Sequence, residues 1–109
     1  MTRRPTMRFS FEAMVIEWRG PSPYFYAPVP EEYADAIRAA AKLVSYGWGV
    51  IPVEAVISGV TFETSLFPKD DTYLLPLKAA VRKRIGVTVD DEVEVEITIG
   101  GGGFRLSGF

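Results

Sequence analysis

The sequence predicts a mainly β, α+β fold: a small closed or split β-barrel, pseudo-duplicated as strand-strand-helix-strand, with two helices. Three observations lead there. Several segments alternate apolar and polar residues with period two, most clearly in "EVEVEITI", where Val93, Val95, Ile97 and Ile99 face one way and Glu92, Glu94, Glu96 and Thr98 the other. Two other segments, after Pro30 and after Pro76, carry helical spacing instead. The order strand, strand ending at proline, helix, glycine, strand occurs twice, with Phe11 and Phe62, Tyr24 and Tyr73, Pro30 and Pro76, and Val53 and Val93 in corresponding places. Two such units side by side would share a core that neither could bury alone, and closure would remove exposed strand edges.

Residues 8–19, "RFSFEAMVIEWR", read as a long strand, with Phe9, Phe11, Ala13 and Val15 on one face. "GPSP" at 20–23 is a turn, and "YFYAPV" after it is a second strand with Pro28 near its end or on an edge. Pro30 opens a helix, because its missing N–H would be unpaired in a first turn anyway. Glu31 and Glu32 sit at the positive end of that helix dipole and Lys42 near the negative end. Tyr33, Ile37, Ala40, Ala41 and Val44 form its buried stripe, and Gly47 is the expected stop.

"WGVIPVEAVI" at 48–57 is a strand expected to be buried on both faces. Ser58 and Gly59 make a hairpin turn, and "VTFETSLF" at 60–67 returns. Pro68 is expected to break that strand, and "KDDT" to turn the chain. "YLL" is a short extended piece before Pro76. A helix of about two turns then carries Leu77, Val81 and Ile85 on its buried stripe and ends at Gly86. A single domain over 1–109 is expected, with its core at 8–99 and a Gly-rich joint and tail at 100–109.

Composition removes several functions. The chain has no cysteine and no histidine, so disulfides, thiolate sites, the usual general base and a Ser-His-Asp set are all excluded within one chain. Net charge is −2, which supplies no global attraction to nucleic acid or to a membrane. No apolar run approaches the roughly 18 residues a span needs, and "MTRRPTMRF" lacks a signal-peptide core, so a cytoplasmic location is expected. Glu92, Glu94 and Glu96 could suggest paired-carboxylate chemistry or a cation site, but alternation explains them as a wet strand face. Asp90 and Asp91 lack the spaced ligands of a calcium loop. The aromatics Trp18, Tyr24, Phe25, Tyr26, Tyr46 and Trp48 are read as filling the core. No catalytic residue, metal or cofactor is nominated.

The remaining chemistry lies in "SLFPKDDTYLLPLKAAVRKRIG" at 65–86. Arg82, Lys83 and Arg84 occupy a last helical turn, where positive charge is favoured, so most of this basic cluster has a structural reason. Lys69, Lys78 and Arg82, with Ser65 and Tyr73 as hydroxyl donors, remain as a candidate anion-binding corner. The favoured reading is a non-enzymatic binding or interaction module whose partner is a small anion or a protein. The alternative is nucleic-acid binding through Arg82, Lys83 and Arg84.

"YFYAPVP", "GWGVIPVEAVI" and "TSLFPKDDTYLLPLKAAVRKRIGV" together resemble the bacterial domain-of-unknown-function family nineteen-oh-five, over roughly residues 8–99. That resemblance implies a small barrel fold and no particular activity. "LPLKAAVRKRIGVTVDDEVEVEI" is more faintly similar to the swapped-hairpin barrels of AbrB-type transition regulators. This second resemblance implies DNA binding, and only Arg82, Lys83 and Arg84 match its basic positions.

Overall fold

In a computed structural model the chain is described over residues 6–19, 24–43 and 50–100. The expected "GPSP" turn, Val44, Tyr46, Gly47, Trp48 and the tail beyond Gly100 lie outside these residues.

The long strand predicted at 8–19 is two strands, β1 (Thr6–Met14) and β2 (Ile16–Trp18). Val15 separates them, fully buried, its N–H donating to the Asp91 carbonyl at 2.8 Å and its carbonyl accepting from the Asp90 N–H at 2.8 Å. Strand β3 (Tyr24–Pro28) leads through Pro30 and a 3-10 turn, Glu31–Tyr33, into α1 (Ala34–Leu43). The expected stripe is in place: Ile37, Ala40 and Ala41 are buried, and Tyr33 packs on Phe9 and Phe11 with ring centroids 6.2 and 6.1 Å away.

Strands β4 (Ile51–Ile57) and β5 (Val60–Lys69) form a hairpin whose turn residues, Ser58 and Gly59, both have positive φ (52° and 77°). That is the geometry a two-residue hairpin requires. β4 is buried on one face only: Ile51, Val53, Ala55 and Ile57 point inward, while Pro52, Glu54 and Val56 are half-buried.

Pro68 does not end β5 as expected. It pairs with Tyr73 of β6 (Thr72–Pro76), and the strand runs on to Lys69. The Tyr73 carbonyl is taken by the Val29 N–H at 2.9 Å, on the β3 side. Pro68 therefore meets β6 at a position that needs no donor, where proline is tolerated. Asp70, with φ 55°, makes the following turn.

The second helix, α2 (Ala79–Ile85), starts later than the pattern suggested. Leu77 is buried ahead of the helix, and Lys78 is the N-cap, extended at φ −68°, ψ 158°. Gly86 ends the helix as expected, left-handed at φ 83° and ψ 35°, donating to the Arg82 carbonyl at 2.7 Å. A turn closed by the Thr88 N–H on the Asp91 carboxylate (2.8 Å) leads into β7 (Glu92–Gly100).

The strands form a curled, seven-stranded antiparallel half-barrel in the order β1-β7-β4-β5-β6-β3-β2. Its two end strands are the consecutive pair β1 and β2. The core is lined by Phe11, Ala13, Val53, Ala55, Leu66, Leu75, Val93, Val95 and Ile97, with Ile37 closing it from α1. The outer face of β1, β7, β4 and β5 is acidic. Glu12 stands opposite Glu94, and Glu54 opposite Glu63, in direct cross-strand register. Arg8 reaches Glu96 at 3.8 Å, and among the described residues no other ion pair reaches the row. Among the described residues, no helix is long and apolar enough to cross a membrane.

Candidate functional site

The N-terminal end of α2 stands over a groove of about 860 Å³ bounded by β3 and β5. One wall is the aromatic run Tyr24, Phe25 and Tyr26; the other comes from Glu63, Thr64, Ser65 and Phe67 on β5. Pro52, Pro76 and Leu77 lie along it, and Lys78, Ala79 and Arg82 complete it from the helix.

Arg82 is the most firmly held of these. Its guanidinium lies over the Phe25 ring, 3.8 Å from the centroid, and its Nε–H donates to the Leu77 carbonyl at 3.1 Å. Leu77 is fixed in turn, its N–H donating to the Phe25 carbonyl at 2.8 Å. The planar cation is thus clamped between an aromatic face and a backbone acceptor, an arrangement suited to arginine and not to lysine. Among the described residues its terminal nitrogens meet no acceptor.

Lys78 is one helical turn away, and its carbonyl accepts the Arg82 N–H at 2.9 Å. Its position is unfavourable for stability. An N-cap prefers Ser, Thr, Asp or Asn, and a positive charge there opposes the helix dipole. No side chain caps this helix, and its first turn carries no acid.

Three of the five residues nominated for an anion corner, Ser65, Lys78 and Arg82, therefore line one groove. Two do not. Lys69 lies over the Trp18 ring, 4.5 Å from its centroid, and Tyr73 is buried at 5% exposure. Of the three residues nominated for nucleic acid, Arg82 is half-buried in the groove, while Lys83 and Arg84 are exposed outside its lining.

The aromatic residues need a correction too. Tyr24 is 58% exposed and Trp18 49%, so neither fills the core, and Tyr24 and Tyr26 stand as a tilted pair 6.3 Å apart. The sequence reading missed Tyr24, Phe25 and Tyr26 as groove walls, along with Glu63, Thr64 and Phe67. The signal was present in "YFY", because adjacent aromatics in a strand point to opposite faces and cannot all be interior. Glu92 and Glu94 are exposed on the wet face, and among the described residues no group of three or more candidate ligands could hold a metal ion.

These features define a mainly β, curled-sheet domain with a cationic, aromatic-walled groove beneath its second helix. The chain belongs to the family described as Domain of unknown function (DUF1905), whose model matches residues 11–97. That span contains both helices and every residue lining the groove. Comparison with curated proteins returns no match.

Proposed function

We propose that this protein is a non-enzymatic binding module that takes a small anion in the groove at Ser65, Lys78 and Arg82. The observation carrying this reading is that two cations share one open groove. Neither has a carboxylate partner among the described residues, where the ion pairs are Arg8–Glu96, Arg19–Glu17 and Arg38–Asp35. The nucleic-acid alternative through Arg82, Lys83 and Arg84 has less support, because those side chains do not share the groove and a polyanion needs a continuous cationic track.

We further propose that the fold is an internal duplication, as a closed or split barrel of two like units would be, and this bears on the site. The strand registers support it. Ala27 stands opposite Leu75, flanked by Tyr26 opposite Pro76 and Pro28 opposite Leu74. The Val29 N–H bonds to Tyr73 and the Leu77 N–H to Phe25. Phe11 opposite Val95 is matched by Phe62 opposite Ala55, and Trp18 opposite Tyr24 by Lys69 opposite Thr72. This register equates Pro28 with Pro76 and Tyr24 with Thr72, in place of the correspondences read from the sequence.

Carried along the chain, it equates Lys78 with Pro30, Arg82 with Ala34, Ser65 with Met14 and Thr64 with Ala13. The first corner keeps the acid, with Glu12 in the place of Glu63, but has none of the basic or hydroxyl groups of the second. The fold itself therefore does not demand them, which favours a ligand as their reason.

The test is a thermal-shift titration of the full chain with acetate, phosphate and 1-naphthoate. At least one is expected to raise the melting temperature, and Lys78→Ala with Arg82→Ala to abolish that rise. A panel that moves nothing, or shifts that survive both substitutions, would remove the reading.

A further inference from the structure

We infer that the anion this groove takes is a single carboxylate carried on a flat aromatic ring. The inference rests on the anion site proposed above and names its ligand class.

The charged end of the groove suits one carboxylate. Arg82 spends its Nε–H on the Leu77 carbonyl and one face on Phe25, which leaves its two terminal nitrogens to donate side by side. A planar, bidentate acceptor fits that edge. Lys78 adds a second positive charge one turn away, and Glu63 on the opposite wall returns one negative charge. Two bases against one acid leave room for a monoanion, while a second negative charge on the ligand would meet Glu63.

The other end suits an aromatic ring. Tyr24 is 58% exposed and Phe67 47%, and Tyr26 and the rings of Pro52 and Pro76 continue the same apolar lining. Tyr24 packs against Tyr26 at 6.3 Å and still leaves more than half of its surface open beside the two cations. Offset or edge-to-face packing against Tyr24 and Tyr26 adds affinity only for a ligand with a ring of its own. Thr64 and Ser65 provide hydroxyls between the two ends, where a ring substituent could hydrogen-bond.

The test is calorimetric titration of the full chain with 1-naphthoate, acetate and inorganic phosphate, repeated on Tyr24→Ala and Arg82→Gln. The exposure of Tyr24 makes its substitution safe for folding, and circular dichroism of each variant checks this. 1-Naphthoate is expected to bind at least tenfold more tightly than acetate. Tyr24→Ala should weaken naphthoate by about three- to tenfold, the measure of one aromatic contact, and leave acetate unchanged. Arg82→Gln should weaken both. Equal affinity for naphthoate and acetate, both lost in Arg82→Gln, would overturn the aromatic ligand while keeping the anion groove. Phosphate binding tightest would overturn it in favour of a tetrahedral anion. No binding by any probe would overturn both readings together.

Discussion

The chain passes twice from a strand ending at proline into a helix, and the two corners are put to different uses. Each strand ends at a proline, Pro28 or Pro76, runs on for two residues, and enters a helix. At the first corner Ala34 is 3% exposed, Ile37 is fully buried, and Tyr33 seals the helix against Phe9 and Phe11. At the second the helix is shorter, none of its residues is buried, and the Arg82 guanidinium lies over Phe25. One corner closes the core. The other holds a cation over an aromatic ring beside an open groove. Similar strand-to-helix passages thus leave side-chain chemistry free to diverge, and function is sought where the polar choice costs stability.

Exchanging the key residue should break the comparison most severely. Ala34→Arg would force an unpaired guanidinium into a sealed site, at about 3–5 kcal/mol, and chemical denaturation is expected to show a protein largely unfolded or close to it. Equivalent truncations should sharpen it. Ile37→Ala is expected to cost about 3 kcal/mol, whereas Ile85→Ala, on the half-buried helix, should cost roughly half that. Equal losses in urea would show that both corners carry the core alike. A third, smaller effect concerns the clamp: Arg82→Ala should lower stability by about 1–2 kcal/mol through loss of the stacking and of the bond to Leu77, alongside any loss of anion binding. The smallest effect has the opposite sign. Lys78→Ser supplies the missing N-cap and removes a charge that opposes the dipole, so it should stabilise the protein by about 0.5–1 kcal/mol while weakening anion binding. A Lys78→Ser protein that is less stable than the parent would show that lysine serves the fold there.

Much of this architecture was legible because its determinants are local. The alternation of β7, the stripe on α1, the Ser58–Gly59 hairpin and the Gly86 stop each follow from a few neighbouring residues and appear as read. Pro68 was misread because whether a proline ends a strand depends on which side its neighbour lies, and Tyr73 is a non-local partner. The bend at Val15 has the same origin: it marks the passage from β7 to β3 as pairing partner, which no residue near it encodes. The candidate site was half legible. Lys78, Arg82 and Ser65 meet, but Lys69 does not join them, because β6 lies between Lys69 and Lys78. Its five residues span roughly 17 Å at about 3.4 Å each. The aromatic wall was invisible as a site because β3 is brought to β6 only by pairing across the middle of the chain.

The row of glutamates on the outer sheet has a kinetic consequence. Glu12 against Glu94 and Glu54 against Glu63 concentrate like charge on the outer sheet, up to the edge of the groove. Lys78 and Arg82 lie together in the groove beneath the second helix. Glu63 belongs to both the row and the groove, so a repulsive field borders directly on the attractive one, and an approaching anion is steered to the helix side of the groove before contact is made. Added salt should flatten that field and slow capture, and the same salt should relieve the crowding of the glutamates and raise the melting temperature. Ionic strength would then move association rate and thermal stability in opposite directions in one protein.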